Sequence, residues 1–185
     1  MPSTNDYALL SNRVYFRTPV NRTVVAASGW VEKQWARDQS LTGFSAGVYQ
    51  KGSDIVIAYT GTNEKWFSDF TFANIPAFTG LPSPQVWEAM KLYLQVQQDN
   101  PSANITFTGH SLGGGLASMM GIFFDRQARV FDAAPFKIGA VSAVALAEYK
   151  IRMIANGLSN SAFEAYRTSI NTQYFARISL YQVDH

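Results

Sequence analysis

The stretch Ile105–Met120, ITFTGHSLGGGLASMM, constrains this chain more than any other. Apolar and polar residues alternate from Ile105 to Thr108, as in a strand with one face buried. Gly109-His110-Ser111-Leu112-Gly113 interrupts the alternation, and small and apolar residues follow at once. This pattern predicts a strand over 105–108, a turn over 109–113 and a helix over 116–124. A side chain at Gly109 or Gly113 would collide with the neighbouring strand or helix, so both positions want glycine. Ser111 is left at the apex of the turn.

The remaining segments give this turn its surroundings. FSAGVYQKGSDIVIAYTGT reads as a hairpin: Phe44 to Tyr49 alternate, Lys51-Gly52-Ser53-Asp54 turn, and Ile55 to Tyr59 form a buried strand. Asp6 is expected to cap a first helix reaching Tyr15. Ser83-Pro84 reads as an N-cap with proline at the first helical position. The helix it opens places Val86, Trp87, Met90 and Leu94 on one face and stops before Pro101. Val130 and Phe131 begin another short strand, 142–154 and 161–169 read as helices, and 176–183 as a last strand. Strands separated by helices imply an α/β domain, a mostly parallel sheet with helices on both faces. With no repeat, linker or low-complexity segment, 1–185 is expected to be a single domain.

Composition removes several classes of function. Of 185 residues, 47% are hydrophobic and 15% charged, which suits a sizeable core. The net charge is +2 and the Lys and Arg residues are scattered, so no basic stripe for nucleic acid is present. The absence of cysteine rules out disulfides, thiolate catalysis and cysteine-bound zinc. His110 and His185 are too few for a histidine-rich metal site. Neither metal nor cofactor is expected. The N-terminal residues lack the basic start and apolar run of a Sec signal. No stretch reaches the ~20 apolar residues of a membrane span. Synthesis in the cytoplasm is the expectation.

Serine between glycines, after a strand and before a helix, is the arrangement a nucleophile elbow requires. The helix N-terminus supplies free N–H groups and a partial positive charge. The N–H of Leu112 can then point at an oxyanion formed on an attacked carbonyl. The rival readings are a glycine-rich turn used for close packing, or a phosphate loop. The phosphate loop would want Gly-Lys-Ser/Thr, and no lysine is present here.

TGHSLGGGLASM resembles the nucleophile region of class 3 (fungal-type) lipases, within the α/β-hydrolase fold. IVIAYTGTNEKWFSDFTFANIPAF is similar to that family's strand ending in Phe-Arg-Gly-Ser/Thr and the lid segment after it. DYALLSNRVY and the hairpin resemble bacterial branches of the family, including lipases delivered as toxins by contact-dependent secretion. The resemblance implies Ser111 as nucleophile and the N–H of Leu112 as one oxyanion donor. It makes Thr62, after Gly61, the second donor. It implies a lid over 63–70, with Trp66, Phe67 and Phe70, and Phe72 beyond, facing an acyl groove; permanent core is the other reading of these aromatics. Asp69 matches the lid-hinge aspartate. Thr60 stands where the family usually has arginine, which leaves the anchoring of this loop open. The partners implied are a lipid or phospholipid ester, a membrane surface and a cognate inhibitor protein, with export by a specialised secretion system.

A serine hydroxyl needs a base, and the base an orienting acid. In the α/β-hydrolase order the acid follows a late strand, and Asp184 occupies that place at the end of ARISLYQVDH. The histidine should come later on another loop, yet only His185 follows. Neighbouring residues on an extended chain point to opposite sides, so these two do not make a relay. Either the domain lacks its C-terminal part and the histidine lies beyond residue 185, or His185 is the base and Asp132 orients it. The first is the working expectation. In the family, His110 serves packing and hydrogen bonding. The function expected is a serine hydrolase cleaving lipid esters through an acyl-enzyme on Ser111. The alternative is an inactive hydrolase-fold module that binds lipid or a protein partner.

Overall fold

The computed structural model describes residues 1–15, 19–37, 44–61, 83–136, 142–155, 157, 161, 164 and 178–181. The described helices are α1 (Thr4–Arg13), α2 (Pro19–Ala27), α3 (Pro84–Asp99), α4 (Leu112–Phe123) and α5 (Ala143–Ala155). The strands are β1 (Val31–Arg37), β2 (Ser45–Lys51), β3 (Asp54–Tyr59), β4 (Asn104–His110), β5 (Ala128–Phe131) and β6 (Ile178–Tyr181).

The six strands lie in one sheet in chain order, β1-β2-β3-β4-β5-β6. β1, β2 and β3 pair antiparallel, while β3, β4, β5 and β6 run parallel. Each parallel crossover needs an intervening segment to return the chain, and α3 and α4 fill that role between β3 and β4 and between β4 and β5. Helices cover both faces. Ile55, Ile57 and Tyr59 of β3 join Phe107 of β4 in the larger core with α3, α4 and α5. Val56 and Ala58 turn the other way and pack with Tyr7 and Leu10 of the first helix, with Val14 at its C-cap and with Trp30. This is the two-residue period of a strand buried on both sides.

Several boundaries differ from those predicted. The cap of α1 is Ser3, not Asp6. Ser3 Oγ accepts from the Asp6 N–H, and the Asp6 carboxylate accepts from the Ser3 N–H at 2.8 Å, a capping box in which both residues take part. α4 begins at Leu112 rather than Leu116, and β4 continues to His110, so the turn shrinks to Ser111. Three glycines at its start hide the helix from propensity at about 1 kcal/mol each. Packing overrides them, for all twelve residues of α4 are buried. α2 and β1 were not anticipated. β1, VEKQWAR, is an edge strand with Val31 exposed and a register shift between Glu32 and Gln34, so it carries no clean apolar alternation. Ser83 does cap α3 by position, but its side chain makes no capping bond. Its N–H instead donates to Tyr149 Oη at 3.0 Å, which ties α3 to α5. Of the helix predicted over 161–169, all but 161 and 164 lie outside the described residues.

Candidate active site

The parallel strands finish level with one another. Tyr59 of β3 pairs with Gly109 of β4, and His110 of β4 pairs with Phe131 of β5. The described residues after β3 and β5 meet the serine turn, Gly61 beside His110 and Leu112, and Ala134 on the Ser111 carbonyl, at the carboxyl ends of the strands, where open α/β sheets bind ligands. Ser111 has φ 54° and ψ −124°, with β4 ending one residue before it and α4 starting one residue after. Such a backbone in a residue with a Cβ costs about 1–3 kcal/mol and persists only when its surroundings over-determine it. They do so here. The Ser111 N–H donates to the Phe131 carbonyl at 3.1 Å. The Ser111 carbonyl accepts from the Ala134 N–H at 2.9 Å and from the Gly115 N–H at 3.1 Å. A Cβ on Gly109 would stand 2.4 Å from the Gly113 carbonyl, and one on Gly113 would stand 2.2 Å from the Tyr59 carbonyl. The strand and helix are as close as glycine permits.

Ser111 is half-buried and its side chain makes no capping bond to the helix it precedes. Leu112 is the first helical residue, with its side chain in the core. Its N–H lies outside the i→i−4 ladder, at the positive end of α4. His110 is exposed and sits beside the serine turn, its Nε2 3.8 Å from Asp132 Oδ2. Asp132 follows β5 with φ 42°, a second strained residue at the same edge. The structure thus places Asp132 next to His110. β6 ends at Tyr181, paired with Phe131, and Asp184 follows three residues later in the sequence. Asp184 itself, Thr62, His185 and the predicted lid over 63–70 lie outside the described residues, as does Phe72.

Two residues anchor this edge: Thr60, whose place in the pattern leaves the anchoring open in the sequence, and Tyr15, which the sequence does not mark. Thr60, standing where the fungal-type pattern has arginine, donates from both its N–H (3.0 Å) and its hydroxyl (2.9 Å) to the Ser45 carbonyl. This pair of hydrogen bonds ties the end of β3 to the start of β2 without a guanidinium. Tyr15, just past α1, accepts from the Gly61 N–H at 2.7 Å and donates to the His110 carbonyl at 3.1 Å. Burial pushes its hydroxyl pKa up, against the opposing pull of the Gly61 N–H, so the phenol stays protonated. A tyrosine after a helix carries no sequence mark of such bonds. Among the described residues, no group of three His, Cys, Asp or Glu is placed to hold a metal. No described helix is long and apolar enough to cross a membrane.

A mixed sheet with helices on both faces, and a serine at a strained strand-to-helix turn on its parallel edge, define an α/β-hydrolase fold. The lipase from Rhizopus microsporus var. chinensis superposes with a TM-score of 0.53 at 19% identity, over 70% of this chain and 56% of that one. Lipase II from Rhizopus niveus gives a TM-score of 0.50 at 16% identity, over 70% and 60% of the two chains. The family model of the phospholipase-like, Tle-like phospholipase domain matches residues 6–174, and the chain belongs to that family. It is also similar to an extracellular phospholipase A1 of Serratia liquefaciens, 33% identical over 95 residues, which is 50% of this chain and 28% of that protein.

Proposed function

We propose that this chain is a carboxylic ester hydrolase acting on lipid esters, a lipase or phospholipase working through Ser111. The observation that carries the reading is the backbone of Ser111, φ 54° and ψ −124°, directly between β4 and α4. A strained apex of this kind raises a hydroxyl above the sheet beside the free N–H groups of a helix N-terminus. Ser111 Oγ attacks the ester carbonyl while a histidine takes its proton. The N–H groups of Leu112 and Thr62 hold the oxyanion, each donor worth roughly a hundred- to thousand-fold in rate. The C–O bond to the alcohol breaks and the histidine returns the proton to that alcohol. Water then releases the acid from the acyl-enzyme. Asp184 is the orienting acid in this scheme. A phospholipid is the favoured ester, given the family description and the phospholipase A1 relative.

A fluorophosphonate probe and a p-nitrophenyl ester test this. Covalent labelling and turnover are expected in the natural protein that carries this sequence and absent in its Ser111→Ala variant. A well-folded wild-type chain that takes no label would instead support the non-catalytic, ligand-binding module. His185→Ala addresses the base: retained turnover places it elsewhere, and lost turnover makes His185 the base with Asp132 as its orienter. The resemblance to secreted lipase toxins alone supports a place of action reached by a specialised export route, with attack at a membrane surface and a cognate inhibitor. Periplasmic expression should arrest growth, and Ser111→Ala should relieve the arrest.

A further inference from the structure

We infer that Tyr15 is a positioning residue for the ester-cleaving site, one hydroxyl that sets the spacing between the Gly61 backbone at the end of β3 and the serine turn. The inference rests on the hydrolase reading above and concerns how its two oxyanion donors are held together. Those donors come from different parts of the chain. Leu112 belongs to α4, while Thr62 follows β3 in sequence. An oxyanion site works only when its N–H groups meet at one point, and a misplacement of about 1 Å can cost a hundred-fold in rate. Some contact must therefore fix one segment against the other.

The Tyr15 hydroxyl makes that contact from both sides. It accepts from the N–H of Gly61, the residue just before Thr62, and donates to the carbonyl of His110, the residue just before Ser111. One oxygen bridges the two backbones that carry the proposed donors. The shape of the site agrees. A Cβ on Gly61 would lie 2.9 Å from Tyr15 Oη, 3.5 Å from the His110 carbonyl and 3.6 Å from Leu112 Cβ, so Gly61 is seated against the tyrosine and the serine turn together. Tyr15 is itself held in place. Val14 beside it is fully buried, and α1 is fixed by its capping box, by Tyr7 Oη on Thr106 Oγ1 at 3.0 Å and by Trp30 Nε1 on Asp6 at 2.7 Å.

A kinetic cycle on the full chain with a p-nitrophenyl ester tests the role. Tyr15→Phe keeps the ring and removes the bridge. It should lower kcat about ten- to hundred-fold with KM within about two-fold, because the donors lose alignment rather than substrate contact. Gly61→Ala pushes on the same hydroxyl and should lower kcat by a similar factor. The double variant should be no slower than the slower single one, since both break one link. The Gly61 amide proton should move upfield in Tyr15→Phe. Wild-type kcat in Tyr15→Phe, or single losses that multiply in the double variant, would overturn the role. If Tyr15→Phe does not fold, Gly61→Ala carries the test: reduced kcat at unchanged KM supports it, and unchanged kcat sinks it. A wild-type chain with no Ser111-dependent turnover defeats the hydrolase reading itself. Ser111-dependent turnover untouched by either variant defeats the tyrosine's role alone.

Discussion

Phe107 and Thr106 are neighbours on β4 and look out from opposite faces of the sheet. Phe107 stacks on Tyr59, with ring centroids 6.1 Å apart, and meets Tyr93 of α3 at 5.4 Å. Its surroundings are almost wholly apolar. Thr106 instead accepts the Tyr7 hydroxyl, and α1 and its neighbours on that face are joined by further polar links. Arg129 reaches Thr4 at 3.2 Å, and Lys51 reaches the Ser28 carbonyl at 2.9 Å. Apolar burial is strong but has no direction, so it fixes that α3, α4 and α5 stay on the sheet. Hydrogen bonds are weaker and directional, so they fix where along the strands α1 sits. The site draws on both faces: the serine turn is wedged by α4, and Tyr15 is delivered by α1.

The largest expected effect tests the apolar face. Phe107→Ala should destabilise the chain by about 3–5 kcal/mol, read as a fall in the urea midpoint. It should lower stability before it lowers turnover in the fraction that remains folded. Thr106→Val sits one residue away and should do less to stability, about 1–3 kcal/mol, mainly by leaving the buried Tyr7 hydroxyl without its acceptor. It should do more to turnover per folded molecule, because it frees the helix that positions Tyr15. Equal turnover losses in the two variants would break the division between faces.

The two faces also differed in how far they could be read in advance. The serine turn was legible because close approach of strand and helix leaves glycine at fixed places, and Gly109 and Gly113 are visible as letters. The 44–59 hairpin and α3 were legible for the same reason: turn residues and Ser83-Pro84 punctuate clear apolar periods. α1's anchoring was not. The sequence points to Asp6 as the cap, yet Ser3 and Asp6 cap each other, and Asp6 also binds Trp30, 24 residues on. Tyr15 joins residues 46 and 95 positions away through a single oxygen, and no local pattern encodes that. In the sequence Thr60 marks only a missing arginine, whereas its short hydroxyl reaches the Ser45 carbonyl. Directional contacts between distant segments are decided by the fold, not by local sequence.

A smaller effect sharpens the polar side. Ser3→Ala removes one half of the capping box and should cost about 1 kcal/mol of stability. With its cap lost, the N-terminal half of α1 should show faster amide exchange, while the amides of α4 keep their protection. Loss of protection in both helices together would mean that the faces do not open independently.

The smallest expected effect concerns charge. Burial works against the ionised form of Asp6, but bonds from Trp30 and Ser3 and the nearby Lys51 outweigh it, and its pKa lies below the ordinary carboxylate value. At neutral pH the carboxylate is ionised in both the folded and the unfolded chain, so its native contacts contribute fully. Below about pH 4 the unfolded chain binds the proton first, and the contribution shrinks as pH falls through the lower folded value. Asp6→Asn should therefore cost at most about 1 kcal/mol at pH 7 and flatten the acid limb of the stability curve. The flattening should be partial. Asp54 is also held below the ordinary carboxylate value against its own burial, by Asn104 at 2.7 Å and the Met1 amino group at 3.0 Å. Urea midpoints from pH 7 to pH 3 measure both. An acid limb unchanged in Asp6→Asn would show that Asp6 fixes α1 by the shape of its bonds alone, and that its own charge plays no part in holding this face of the sheet.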